Sequence, residues 1–189
     1  MDARERRLGA ESQNTIARPP PRDPGRSDGI DESLCPSVYL ETSVIGYLAS
    51  RPGADIIFAA NQLMTLEWWN DHRSRFELFV SQAVVDECSA GDPTAAKERL
   101  AYLDGIPLLA DNAATLNLAQ ELIRHAGLPA KAVDAVHIAT AALNRIDYLL
   151  TWNCNHIANP AFRRKIEDVL NDAGLRPPVI CTPQEILNV

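Results

Sequence analysis

The stretch Ser37-Val38-Tyr39-Leu40-Glu41-Thr42-Ser43 decides how the chain is read. A short aliphatic and aromatic run ends in a carboxylate and two hydroxyls, and Val44-Ile45-Gly46-Tyr47-Leu48 then takes up helical spacing. A carboxylate where a buried strand passes into a helix is costly unless positive charge stands against it. In a parallel sheet, that is also the end at which ligands bind. Glu41 is therefore read as one wall of a divalent-metal site.

Working outward, strand-like and helix-like segments alternate. Val44 to Ser50 reads as a short helix stopped by Arg51-Pro52-Gly53, and Ala54 to Arg73 as a longer one, with Ile57, Ala60, Met64 and Trp68 on its apolar stripe. The Trp68-Trp69 pair on that stripe is read as core or subunit interface. Phe76 to Val80 alternates like a strand, and Ser81 stands as the cap of a helix carrying Asp86 and Glu87. Helices are expected over Pro93–Asp104, Asn112–Ala126 and Ala132–Asn144, and from Asn159-Pro160 to Ala173, with strands at Ile106–Leu109, Tyr148–Leu150 and Val179–Cys181. This alternation predicts an α/β/α sandwich on a mostly parallel sheet.

Composition narrows the function classes. The chain has 189 residues, 46% of them hydrophobic, enough for one substantial core. Residues 1–36 hold prolines and mixed charge without apolar periodicity and read as a disordered tail, leaving 37–189 as the folded domain. No apolar run approaches the roughly 18 residues of a membrane span, and no export signal is legible, so a cytoplasmic protein is expected. Four scattered cysteines without C-x-x-C spacing read as reduced thiols. A net charge of −7 argues against a broad basic surface for nucleic acid, while an acidic pocket that holds cations remains compatible with it. Phosphate-binding glycine loops and the serine-hydrolase elbow find no matching motif.

Two later acids fit the site that Glu41 opens. Glu87 lies on the helix entered from the second strand, and Asp134 near the start of a buried, alanine-rich helix. Asn153 lies in the loop leaving the fourth strand. Mg²⁺ and Mn²⁺ take oxygen ligands and keep several waters, so two or three carboxylates suffice. Each acid also has a plainer use: Glu41 against a cation such as Arg51, Glu87 as an exposed helix acid like Asp86, and Asp134 at the positive end of its helix. His137, three residues after Asp134, shares its face and is either a ligand or a core histidine bonded to backbone. Cys154-Asn155-His156 offers a soft-metal pair without a partner motif, and Arg163-Arg164-Lys165 either an RNA-backbone contact or a solvated helix face.

These segments resemble the motifs of PIN-domain proteins. Val38-Tyr39-Leu40-Glu41-Thr42-Ser43 is similar to their hydrophobic-Leu-Asp-Thr-Ser opening, and Ser81-Gln82-Ala83-Val84-Val85-Asp86-Glu87 to the second motif, which ends in a metal-binding Glu. Val133-Asp134-Ala135-Val136-His137-Ile138-Ala139, Leu149-Leu150-Thr151-Trp152-Asn153 and Cys181-Thr182-Pro183-Gln184-Glu185 resemble the remaining three, in order. The resemblance implies a PIN-like three-layer α/β/α sandwich and a Mg²⁺- or Mn²⁺-dependent ribonuclease, commonly a toxin of the VapC type. Such a protein has an RNA substrate, an antitoxin protein partner and often a homodimeric state. It also implies that Glu41, Glu87 and Asp134 are metal ligands and that Asn153 stands at the fourth acidic position, with Thr42, Ser43 and Thr151 as supporting hydroxyls.

Two departures from the pattern bear on activity. The first acid is Glu rather than Asp, and the fourth is Asn, which coordinates through its carbonyl but brings no charge. The expectation is one well-held ion and a second that binds weakly or only with substrate phosphate. The rival reading is a PIN-like scaffold that has lost catalysis and binds a protein or RNA partner.

Overall fold

The computed structural model describes residues 35–128 and 132–187. Of the tail expected over residues 1–36, residues 1–34 lie outside the described residues, as does the helix opening at Pro129-Ala130-Lys131, while Pro36 O accepts from Glu77 N–H at 3.0 Å. Five strands, β1 (Ser37–Leu40), β2 (Glu77–Ser81), β3 (Leu108–Leu109), β4 (Tyr148–Leu150) and β5 (Val179–Cys181), form one sheet in the order β3-β2-β1-β4-β5. Every pairing is parallel, so the expected sheet is parallel throughout.

The central strand is β1, with Val38, Tyr39 and Leu40 fully buried. A strand covered on both faces has no use for alternation, and its near-continuous apolar run follows from that position. Val38 pairs with Leu78 on one side and Tyr148 on the other. Strand order reverses at β1 and β4, and the crevice outside their carboxyl ends is where such sheets take ligands. Glu41 N–H extends the ladder by donating to Leu150 O at 3.0 Å, which fixes the end of β1 against the end of β4.

Helices α1 (Thr42–Ala49), α2 (Ile56–Glu67), α3 (Gln82–Ser89), α4 (Pro93–Ala101), α5 (Ala113–Glu121), α6 (Ala132–Leu143), α7 (Pro160–Asp172) and α8 (Pro183–Ile186) connect or follow the strands. Side-chain caps stand at Asn159 and Thr182, whereas the cap expected at Ser81 is not made. Asn159 receives Ala161 N–H before α7, and Thr182 with Glu185 closes a reciprocal capping box on α8.

Two expectations are corrected. The long second helix stops as an α-helix at Glu67 and continues as a π-turn over Trp68–His72. Trp68 and Trp69, the first two residues of that turn, are both buried. They are core residues, with Trp69 edge-on to Tyr102 and under the Arg73 guanidinium. The buried stripe of α2 is also not the apolar one. Ile57 is 69% exposed, while Gln62 and Thr65 are buried. Gln62 Nε2 donates to Tyr47 O and Ser50 O, and Thr65 Oγ1 accepts from Trp152 Nε1 at 2.7 Å, so hydrogen bonds outrank hydropathy on this helix.

Candidate metal centre

Glu41 is the residue before α1, and its side chain caps that helix by accepting from Ser43 N–H at 3.1 Å. The same oxygen, Oε2, accepts from Ser43 Oγ and from Thr151 Oγ1, the latter at 2.7 Å. The carboxylate is 5% exposed and held by hydroxyls and a helix N-terminus rather than by Arg51. None of these bonds falls on Oε1. Trp152 N–H donates to Ser43 Oγ at 2.8 Å, so the loop leaving β4 is tied to the first turn of α1.

Glu87 reaches in from α3. Its Oε2 accepts from Thr42 Oγ1 at 2.5 Å and lies 2.9 Å from His137 Nε2. The other ring nitrogen of His137, Nδ1, is 2.7 Å from Tyr39 Oη, which is in turn 2.8 Å from Ser81 Oγ. His137 is a buried histidine as one reading had it, but its partners are side chains rather than backbone. Ser81 occupies the cap position of α3 without capping it, because its hydroxyl is turned to the tyrosine. Burial pushes the Tyr39 phenol well above its ordinary range, and the charges of Asp111, Glu41 and Glu87 add to this against the lowering effect of Ser81. The phenol is therefore a hydroxyl, able to donate as well as accept.

Glu41, Glu87 and His137 each offer a ligand atom, and these atoms all lie within 4.8 Å of one another. Among the described residues this is the group that brings three such ligands together. Asp134, also buried, is held elsewhere: its Oδ1 accepts from Asn153 Nδ2 at 3.1 Å, and its Oδ2 from His156 Nδ1 at 2.7 Å. Asn153 is occupied at both ends of its amide, since Oδ1 accepts from His156 N–H at 3.1 Å. Its own N–H donates to Thr151 Oγ1 at 2.9 Å, so hydrogen bonds run from Glu41 through Thr151 and Asn153 to Asp134.

Of the seven residues that the resemblance assigns to the site, Thr42 and Glu87 share one hydrogen-bonded network with His137 and Tyr39, while Glu41, Ser43, Thr151, Asn153 and Asp134 share a second. Sequence reasoning gave no site role to Tyr39 or Ser81, and offered His156 only as a soft-metal ligand beside Cys154. Tyr39 was findable: it lies two residues before Glu41 on a strand, and alternate strand residues share a face. Of the remaining candidates, Cys154 is exposed, His156 serves Asp134, and Arg163 turns back to donate to Ile180 O at 2.9 Å.

No family model matches the chain, and no curated protein matches it in sequence. Solved structures do. VapC20 of Mycobacterium tuberculosis, described as a sarcin-ricin loop cleaving toxin, superposes with a TM-score of 0.52 at 19% identity, over 66% of this chain and 95% of that one. The fold is PIN-like. VapBC2 of Rickettsia felis, solved with a DNA fragment from its promoter, matches at a TM-score of 0.47 and 15% identity, over 77% of this chain and 97% of that one. In this chain the β1–α1 junction, α3, the first turns of α6 and the loop after β4 carry the hydrogen bonds described above.

Proposed function

We propose that this chain is a metal-dependent endoribonuclease of the VapC toxin type, acting in the cytoplasm on RNA phosphodiesters. The observation that carries the reading is the meeting of the Glu41 and Glu87 carboxylates with His137 at the switch point of a PIN-like sheet. The donor set suits a divalent cation: two carboxylates and an imidazole close enough to share one ion, in a pocket whose acids are partly or wholly removed from water. When bound, a Mg²⁺ or Mn²⁺ ion supplies Lewis acidity toward a phosphodiester and its attacking water.

The chain's own residues do the rest. Glu41 and Glu87 hold the ion, and Thr42, Ser43 and Thr151 hold those carboxylates in place by hydrogen bonds, so that little ordering is left to binding. Asp134 with Asn153 forms the second wall. There a single carboxylate beside a neutral amide supports a weaker ion site, completed by the substrate phosphate. An antitoxin partner and a homodimeric state belong to the same proposal. The fold match to a toxin that cleaves a structured RNA loop supports RNA over DNA as substrate.

Purified protein incubated with RNA and Mn²⁺, beside an Asp134→Asn control, tests the reading. Cleavage that chelator and the substitution both abolish is the expected result. Failure of the native protein to bind Mn²⁺ or to cut any RNA would establish a non-catalytic scaffold instead.

A further inference from the structure

We infer that His137 is a direct ligand of the cation, giving this centre a nitrogen donor beside the Glu41 and Glu87 carboxylates. The inference rests on the proposed metal centre and specifies its donor set. Three observations carry it. First, the ring nitrogen Nε2 and Glu87 Oε2 are 2.9 Å apart. Two ligands about 2.1 Å from an ion and at right angles to each other stand about 3 Å apart, so the separation of this pair is that of neighbouring ligands on one ion. Second, His137 is held from behind as metal-binding histidines are, with its far nitrogen on a buried hydroxyl. Third, Asp134, one turn earlier on the same helix, has both oxygens engaged by Asn153 and His156. The imidazole, and not the aspartate, is in the group whose ligand atoms all lie within 4.8 Å of one another.

The hydroxyl pair behind the ring explains how one geometry serves both states. A carboxylate only accepts, so without an ion Nε2–H donates to Glu87; in a neutral ring Nδ1 then accepts from Tyr39 O–H, which leaves Ser81 to donate to the phenol oxygen. With an ion, the ring takes its other neutral tautomer: Nδ1–H donates to Tyr39, Tyr39 donates to Ser81, and the Nε2 lone pair is released. Hydroxyls both donate and accept, so the change needs only their rotation and exchange of one ring proton with water. An imidazole among the ligands shifts preference from Mg²⁺ toward Mn²⁺ and other borderline cations.

Pulsed electron paramagnetic resonance of Mn²⁺ bound to the full chain decides the point without any assay of activity. The spectrum is expected to show ¹⁴N coupling that changes to the ¹⁵N pattern when only histidine nitrogens are labelled in the unmutated protein. The coupling should survive His156→Gln and vanish in His137→Gln, with the Mn²⁺ dissociation constant raised by more than about 100-fold, above the range for outer-shell partners, and the preference over Mg²⁺ reduced. Bound Mn²⁺ without nitrogen coupling, or coupling lost in His156→Gln, overturns the assignment. RNA cleavage with coupling-free Mn²⁺ would remove His137 alone, whereas neither binding nor cleavage would remove the metal centre as well. The labelled wild-type spectrum stands as the test if His137→Gln does not fold.

Discussion

Two histidine–carboxylate pairs each take one residue from α6, Asp134 and His137, three positions apart, and they are built differently. His137 and Glu87 come from α6 and α3, and the ring is fixed at both nitrogens, its side chain 1% exposed. His156 and Asp134 join a loop to the first turn of α6, and the ring, with 26% of its side chain exposed, is held to Asp134 through Nδ1. One pair is anchored to the sheet through Tyr39 on the central strand, and the other to the connection after β4. The first is preorganised and costs little to order when a ligand arrives, while the second can yield. A stiff wall suits the ion that must be held between turnovers, and a yielding wall suits the place where substrate enters and leaves.

The largest expected effect lies on the stiff side. Glu87→Gln should lower RNA cleavage by more than about 100-fold, above the range for outer-shell groups, in a single-turnover assay at saturating Mn²⁺. Loss of under tenfold would place the ion elsewhere. Next comes Tyr39→Phe, which removes the hydroxyl behind His137 and leaves buried polar atoms unpaired. It should weaken Mn²⁺ binding about 10-fold and lower stability by about 1–3 kcal/mol in a urea titration. Equal effects from Tyr39→Phe and His156→Gln would erase the distinction between the walls. His156→Gln itself should cost about 1 kcal/mol or less, under about fivefold in Mn²⁺ affinity by calorimetry, because its pair is partly solvated.

The thiols give the smallest and cleanest version of the contrast. Cys88 follows Glu87 on α3 and is buried, with its pKa pushed up to about 11 chiefly by desolvation, whereas Cys154 follows Asn153 in the loop and is exposed. Alkylation of the native protein at pH 8 should modify Cys154 quickly and Cys88 only at the rate of unfolding. The same burial predicts a pH dependence. The unfolded chain loses its thiol protons near pH 9, while the native state keeps them up to about 11 at Cys88 and about 12 at Cys181. Unfolding therefore releases protons in that window, and stability, undiminished below about pH 9, falls as pH rises through it. Chemical denaturation at pH 8 and pH 10, repeated with Cys88→Ala and Cys181→Ala, measures it.

The order of elements was legible because each strand is a short apolar run bounded by residues that cannot continue it. β4 and β5 stand at the residues expected, and the caps at Asn159 and Thr182 mark the helices after them. The stripe on α2 misled because Gln62 and Thr65 are buried by hydrogen bonds to α1 and to Trp152, partners distant in sequence. At the site, motif positions pointed to Glu41 and Glu87, whose carboxylates lie together, and to Asp134 and Asn153, which bond to each other. Spacing along α6 could not tell which of Asp134 and His137 would stand beside the glutamates. That depends on Tyr39 and Ser81 behind one and on Asn153 and His156 beside the other, contacts that form only when the sheet does.

Crystals soaked in Mn²⁺ and measured at a wavelength where manganese scatters anomalously test the centre most directly. The account predicts an anomalous peak within coordination distance of the Glu41 and Glu87 carboxylates, stronger than any beside Asp134. A peak confined to Asp134 and Asn153, or none in the crevice at a concentration that supports RNA cleavage, would contradict it.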